Sequence, residues 1–199
     1  MGTRPAELKD IRQSPSKPGL RLLAPLRYLR ISHPEKAFYD ALLPALTTVG
    51  SWGFYQILTP GISIFGENGL LRFERDFLIM AVPFLVGSLA AVAMGTPGLS
   101  LDRRPPGAEL MLDGRPLTMR QFVCYLLGYL AFLCLFALIG AVAAQLIHND
   151  VMSILSQHMA LKLYVFKIGT FLIFLLLNYI LITTLWALYF LTDVVNRPS

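Results

Sequence analysis

Charge is scarce in this 199-residue chain: 17 Lys and Arg with 12 Asp and Glu make up 15% of it, against 55% hydrophobic residues. A water-soluble domain of ordinary composition carries about 25% charge, so a conventional hydrated surface is excluded and a bilayer is the expected solvent. Cysteine is nearly missing. Cys124 and Cys134 lie ten residues apart in one apolar run, about 15 Å of helix rise, so they cannot bridge each other. There is no G-x-S-x-G, H-E-x-x-H, Cys-x-x-Cys or Walker loop, and no apolar run carries a central pair of ionisable groups, so catalysis and a bound cofactor are not expected. His148 and His158 have no Cys or carboxylate cluster beside them, which makes a metal site a poor fit. Without an inverted repeat or a broken helix pair, a secondary transporter fits badly too.

What the chain has is long greasy segments. A hydrocarbon core about 30 Å thick needs roughly 20 apolar helical residues, and four windows meet that: 38–58, 77–94, 122–147 and 165–191. None shows strand-like alternation, so a β-barrel is not expected. The fold class is therefore an all-α integral membrane protein with four transmembrane helices, a basic cytoplasmic N-terminal arm (1–31), a cytoplasmic loop (95–121) with a small β-hairpin, and a cytoplasmic tail (193–199). Pro44 and Pro83 are expected to kink the first and second helices.

Orientation follows from the basic residues, which favour the cytoplasmic flanks. Eight precede the first window, four lie between the second and third (Arg103, Arg104, Arg115, Arg120), and Arg197 is in the tail; Arg72, Arg75, Lys162 and Lys167 fall on the other side. With both termini inside, the split is thirteen against four. The first apolar run begins only after a long basic stretch broken by Pro5, Pro15, Pro18 and Pro25 and lacks a small-x-small site, so the segment is expected to remain in the mature protein.

Local signals add detail. "SHPEKAF" offers a cap at Ser32, Pro34 in the first turn and Glu35 to complete a capping box. "ELMLDGRPLT" places Asp113-Gly114, a pair suited to positive φ, between two half-strands, and Thr118 with Gln121 makes a second capping box opening the third helix. "FGENGLLRFER" reads as a turn-rich outer loop, and "HNDVMSILSQHMALKLY" as a short surface helix capped by Asn149 or Asp150.

Helices in lipid associate through small residues and polar contacts. Gly87, Ala91 and Gly95 recur at four-residue spacing, as do Cys124 with Gly128 and Gly140 with Ala144. These are helix-docking faces within one chain or between copies. Asn178 stands mid-run in "LLLNYILITT", with Thr170 two turns earlier on the same face; both are expected at a helix–helix or oligomer seam. Asp40 reads as an interfacial carboxylate one turn from Lys36 rather than a proton or cation site. Arg4, Lys9, Arg12, Lys17, Arg21, Arg27 and Arg30 of the arm, with Arg103, Arg104 and Arg115 of the loop, are the candidate contacts for anionic lipid or a cytoplasmic partner.

In size, four-span layout, inward termini and polar cytoplasmic face, the chain resembles the membrane subunit of the Kiwa anti-phage defence system of bacteria. The resemblance spans the whole length as architecture. It implies a homo-oligomer of the bacterial inner membrane that senses infection and works with a soluble DNA-binding partner. The expected function is thus a non-enzymatic anchor or sensor that contacts its own copies, anionic lipids and a soluble cytoplasmic protein, with no direct contact to nucleic acid. Two alternatives stay open: a channel or pore-forming effector lined by Asn178, Thr170 and Thr183, and an immunity or accessory subunit for a membrane toxin.

Overall fold

A computed structural model describes residues 23–31, 36–58, 64–65, 69–95, 102, 110–156 and 159–194. The chain is a helical bundle with one small hairpin. Among the described residues a 3₁₀ helix, Ala24–Arg30, comes first, then a π turn, Phe38–Leu42, that runs into helix α1, Leu43–Leu58. Helix α2 is Leu70–Met94, strands β1 and β2 are Met111–Leu112 and Arg115–Pro116, α3 is Met119–Leu155, and α4 is Met159–Tyr189, closed by a π turn, Phe190–Val194.

Among the described residues, three helices are long and apolar enough to cross a membrane: Leu70–Met94, Met119–Ser153 and Ala160–Thr192. At 16 residues α1 alone falls short of the roughly 20 needed. With the five-residue π turn it reaches 16 + 5 = 21. Leu43 N–H donates five residues back to Phe38, and Pro44, which has no N–H to give, follows at once. Thr47 and Thr48 then donate to the Pro44 carbonyl at 3.1 and 2.6 Å, back-bonds of the kind that hydroxyl side chains make to the preceding helical turn. Pro83 lies inside α2 without ending it.

The spine is α3. Phe122, Leu126, Leu130 and Cys134 are fully buried on it at four-residue spacing, with Ala137 and Ala141 continuing the stripe, as one face of a 3.6-residue period requires. Helices α2 and α4 both pack on α3, while α1 lies mainly on α4. The outward faces are as greasy as the inward ones: Ile57, Phe84, Leu146 and Met94 are 81, 72, 75 and 84% exposed. Water would expel such a surface, whereas lipid tails solvate it at no cost. Helices of this length and composition are compatible with a multi-pass membrane protein.

The hairpin forms as its turn residues dictate. Asp113 and Gly114 take φ of 49° and 77°, and Met111 faces Pro116 while Leu112 faces Arg115. Leu117 N–H closes the ladder onto Leu110 at 2.8 Å. The capping box follows directly: Gln121 N–H donates to Thr118 Oγ1 at 3.3 Å and Thr118 N–H to Gln121 Oε1 at 3.1 Å. The box expected at Ser32 and Glu35 lies outside the described residues.

Three sequence expectations are corrected. The proline-broken arm expected over 1–31 carries packed structure at its end, because residues 24–30 fold as a 3₁₀ helix against α3 and Tyr28 is 0% exposed. The "LLRFER" end of the outer loop is the first turns of α2. Asn149 and Asp150 cap no separate helix, since α3 runs through them to Leu155. A helix already propagating gains a bond with each residue it adds, and this outweighs the modest turn preference of two short polar side chains. The result is a 37-residue α3, about 55 Å long at 1.5 Å per residue.

Gly114→Val places a β-branched side chain at positive φ, a penalty of about 1–2 kcal/mol. Hydrogen-exchange protection of the Leu117 amide is expected to fall roughly tenfold with that of α3 unchanged; undiminished protection would show that the turn does not govern the hairpin.

Candidate functional site

Polar groups inside the bundle gather in three places. The first is the seam between α1 and α4. Asn178 Nδ2 donates to Ser51 Oγ on α1 at 3.0 Å and to the Phe174 carbonyl at 2.8 Å, and Ser51 Oγ donates to the Thr48 carbonyl at 3.2 Å. Two turns away Trp52 Nε1 donates to Thr170 Oγ1 at 3.4 Å, and Thr170 donates to the Lys167 carbonyl at 2.9 Å. Asn178 and Thr170 thus share one face, as their spacing predicts, and that face meets α1. Edge-on Trp52–Phe171 and tilted Tyr55–Phe174 ring pairs flank the polar contacts. Thr183 is fully buried and donates to the Tyr179 carbonyl at 2.7 Å.

The second place lies where the 3₁₀ helix meets the start of the first helical segment. Lys36 is 7% exposed. Its Nζ donates to the carbonyls of Tyr28 at 2.6 Å and Ile31 at 3.0 Å, and stands 3.7 Å from Asp40 Oδ2. It also sits 4.3 Å over the Tyr28 ring, in cation–π range. Tyr28 OH donates to Asp40 Oδ1 at 3.1 Å. Burial, then the Asp40 carboxylate, push the Tyr28 hydroxyl well above its ordinary range, so it stays a protonated donor. Burial lowers the Lys36 ammonium and Asp40 opposes the shift. Tyr28 stacks on Tyr129 at 4.8 Å and meets Phe122 and Trp186; Tyr129 OH donates to Tyr179 OH at 3.1 Å. The expected Lys36–Asp40 pair is present, but Tyr28 as its third member carries no signal in a proline-broken, basic stretch.

The third place is a cleft of about 530 Å³ between the start of α2, the distal half of α3 and the first half of α4. Its walls are apolar except for Glu74, His148, Lys162 and Thr170. Glu74 is 5% exposed, and its Oε2 has no hydrogen-bond partner among the described residues. Sequence reasoning passed over this carboxylate because "FGENGLLRFER" reads as a turn-rich outer loop rather than as the start of α2. One signal pointed to it: Leu71, Glu74 and Leu78 share a helical face, and both leucines are buried.

The small residues divide. A Cβ on Gly128 would meet Leu89 of α2 at 3.9 Å, and one on Gly95 would lie 3.1 Å from the Ala91 carbonyl. Arg120 clamps this region, its Nη1 donating to the Gly95 carbonyl at 2.5 Å while Nε stands 2.9 Å from Asp102. Gly87 and Ala91 are exposed on α2, with open space around Gly87. Gly140 opens onto the cleft, and Ala144 packs beside the Tyr55–Leu71 cluster. Arg27, Arg30 and Arg115 are exposed at the hairpin end. Arg4, Lys9, Arg12, Lys17, Arg21, Arg103 and Arg104 lie outside the described residues, as does His158. His148 stacks on Phe65 at 3.8 Å.

Comparison of the chain with family models, characterised proteins and solved structures gave no match.

Two variant sets test these contacts. Asp40→Ala leaves the buried Lys36 charge uncompensated and is expected to cost about 3–5 kcal/mol of stability in detergent. Lys36→Met with Asp40→Leu is expected to cost well under half of that; an equal loss would mean the lysine is not held by the carboxylate. Asn178→Leu and Ser51→Ala are each expected to cost about 0.6–2 kcal/mol. Their combination should cost no more than the larger single change, because both remove the same bond; simple additivity in chemical unfolding would show the two residues to be uncoupled.

Proposed function

We propose that the protein is a non-enzymatic anchor or sensor subunit of the bacterial inner membrane. It crosses the lipid four times with both termini in the cytoplasm, associates with its own copies and recruits a soluble cytoplasmic partner. The fourth crossing is the 21-residue run of π turn and α1 (five plus 16 residues), whose Asp40 is answered within the chain by Lys36 and Tyr28.

The observation that carries this reading is the asymmetry between the two ends. The hairpin, the 3₁₀ helix and the Arg120 clamp all gather at one end of the bundle, around a single aromatic core. From that end Arg27, Arg30, Asp113 and Arg115 project into solvent. A folded, charged platform joined rigidly to lipid-embedded helices suits capture of a soluble protein and contact with anionic headgroups. The exposed small-residue face at Gly87 and Ala91 on α2 suits contact between copies, since small residues let helix backbones approach closely. The resemblance to the Kiwa membrane subunit fits the same arrangement, with a DNA-binding protein as the recruited partner and infection as the stimulus. A pore is less well supported, because Thr170 and Thr183 are buried within the subunit and Asn178 is spent on Ser51.

Removal of residues 2–22 spares Tyr28 and the 3₁₀ helix. The truncated protein is expected to insert and self-associate normally but to lose its cytoplasmic partner in co-purification from gently solubilised native membranes. Full retention of the partner would transfer the role to the hairpin. A fluorescent protein fused after Ser199 is expected to fluoresce and a periplasmic phosphatase fused there to be inactive; the reverse pair of results would overturn the orientation.

A further inference from the structure

We propose that the cleft between α2, α3 and α4 binds an alkyl ammonium, a hydrocarbon chain ending in a positively charged amine, with the Glu74 carboxylate as its counter-ion. Two independent features of the cleft point to this chemistry. The first is shape and lining: at about 530 Å³ it falls within the roughly 300–1,000 Å³ that hold small organic ligands, and Leu71, Ala137, Val165, Phe166, Ile173 and Leu176 make most of its wall. Such a surface takes a hydrocarbon body. The second is the stranded acid. Glu74 is 5% exposed with an unsatisfied oxygen, and an isolated buried carboxylate is strongly unfavourable unless a cation or hydrogen-bond donor answers it.

The neighbouring cations are otherwise placed. Arg75 bonds Gln145 Oε1 at 3.2 Å and Asp76 at 3.2 Å, and Arg72 stands 3.9 Å from Asp76. Lys162, at the rim, is exposed, and no ion pair joins it to Glu74 among the described residues. The Thr170 hydroxyl is donated to the Lys167 carbonyl. Among the described residues Glu74 is thus the one acid in the lining, and it lacks a partner there. A hydrated inorganic cation would satisfy the carboxylate and leave the greasy wall against water; an uncharged chain would fill the wall and leave the carboxylate stranded. An amphiphile with an ammonium head satisfies both at once. The same head occurs on soluble alkylamines and on ethanolamine lipids. Such a site would operate whichever way the chain faces in the membrane and whether or not it recruits a soluble protein.

The test uses the full chain purified in dodecyl maltoside and compares three ligands with one tail: dodecylammonium, dodecanol and dodecanoate. Thermal unfolding is expected to shift upward, saturably, with dodecylammonium alone. Glu74→Gln, which keeps shape and removes charge, is expected to weaken that apparent affinity at least tenfold without lowering the unliganded Tm. Gly140 lines the cleft and a Cβ there meets nothing within 4 Å, so Gly140→Leu is expected to narrow the cleft and abolish the shift while leaving the carboxylate in place. Glu74-dependent stabilisation by lysophosphatidylethanolamine would identify the source as membrane lipid, and stabilisation by dodecylammonium alone would identify a soluble amine. Equal shifts with dodecanol or dodecanoate, or undiminished ammonium binding by Glu74→Gln, would overturn the proposal. Should Glu74→Gln fail to fold, Gly140→Leu decides: unaltered ammonium binding to that variant also overturns it.

Discussion

The structure depends on answering the hydrogen bonds of polar groups where water is excluded. Lys36 shows the constraint most sharply. Its ammonium receives two backbone carbonyls, a carboxylate and an aromatic face, and through them the 3₁₀ helix is tied to the start of the first helical segment. Tyr28 extends the tie inward by stacking on Tyr129 and touching Phe122 and Trp186. The folded end of the molecule, with its hairpin and capped α3, is assembled on this core. Without an answer to the lysine charge, that assembly would bury an uncompensated ion.

The same rule orders the rest of the bundle. Helix α1 is held to α4 by a short polar ladder through Ser51, Asn178, Trp52 and Thr170, because apolar contact alone discriminates poorly between a helix neighbour and a lipid tail. The end of α2 is secured to the start of α3 by Arg120, which completes the Gly95 carbonyl and pairs with Asp102, a cation where the helix dipole favours one. Glu74 stands outside this pattern: Asp40 and Arg120 each face an opposite charge, whereas Glu74 is buried in an apolar wall with no ion pair among the described residues.

Much of this was legible in the residues. The Asp113-Gly114 turn, the Thr118–Gln121 box, the Lys36–Asp40 spacing and the shared face of Asn178 and Thr170 are short-range patterns with one physical reading, and the structure contains them all. What escaped depends on partners distant in sequence. A seven-residue 3₁₀ helix with a proline near its start has no stability of its own, and only the pocket between α3 and α4 makes Tyr28 a core residue. Glu74 was hidden because its stretch reads as a turn-rich loop, and only the helix that starts at Leu70 gives it an inward face. Spacing likewise marked Gly87 and Gly128 as equivalent, yet one faces outward and the other meets Leu89.

The two tryptophans divide the molecule between them. Trp186 belongs to the aromatic core beside Tyr28 and Phe122, whereas Trp52 touches Thr170, 16 positions earlier on α4 and so about 24 Å along its axis. With no other indole in the chain, ultraviolet emission carries two spatially separate reports. One arises at the folded platform and the other beside the greasy cleft, so each end of the bundle has a built-in optical probe without added dye.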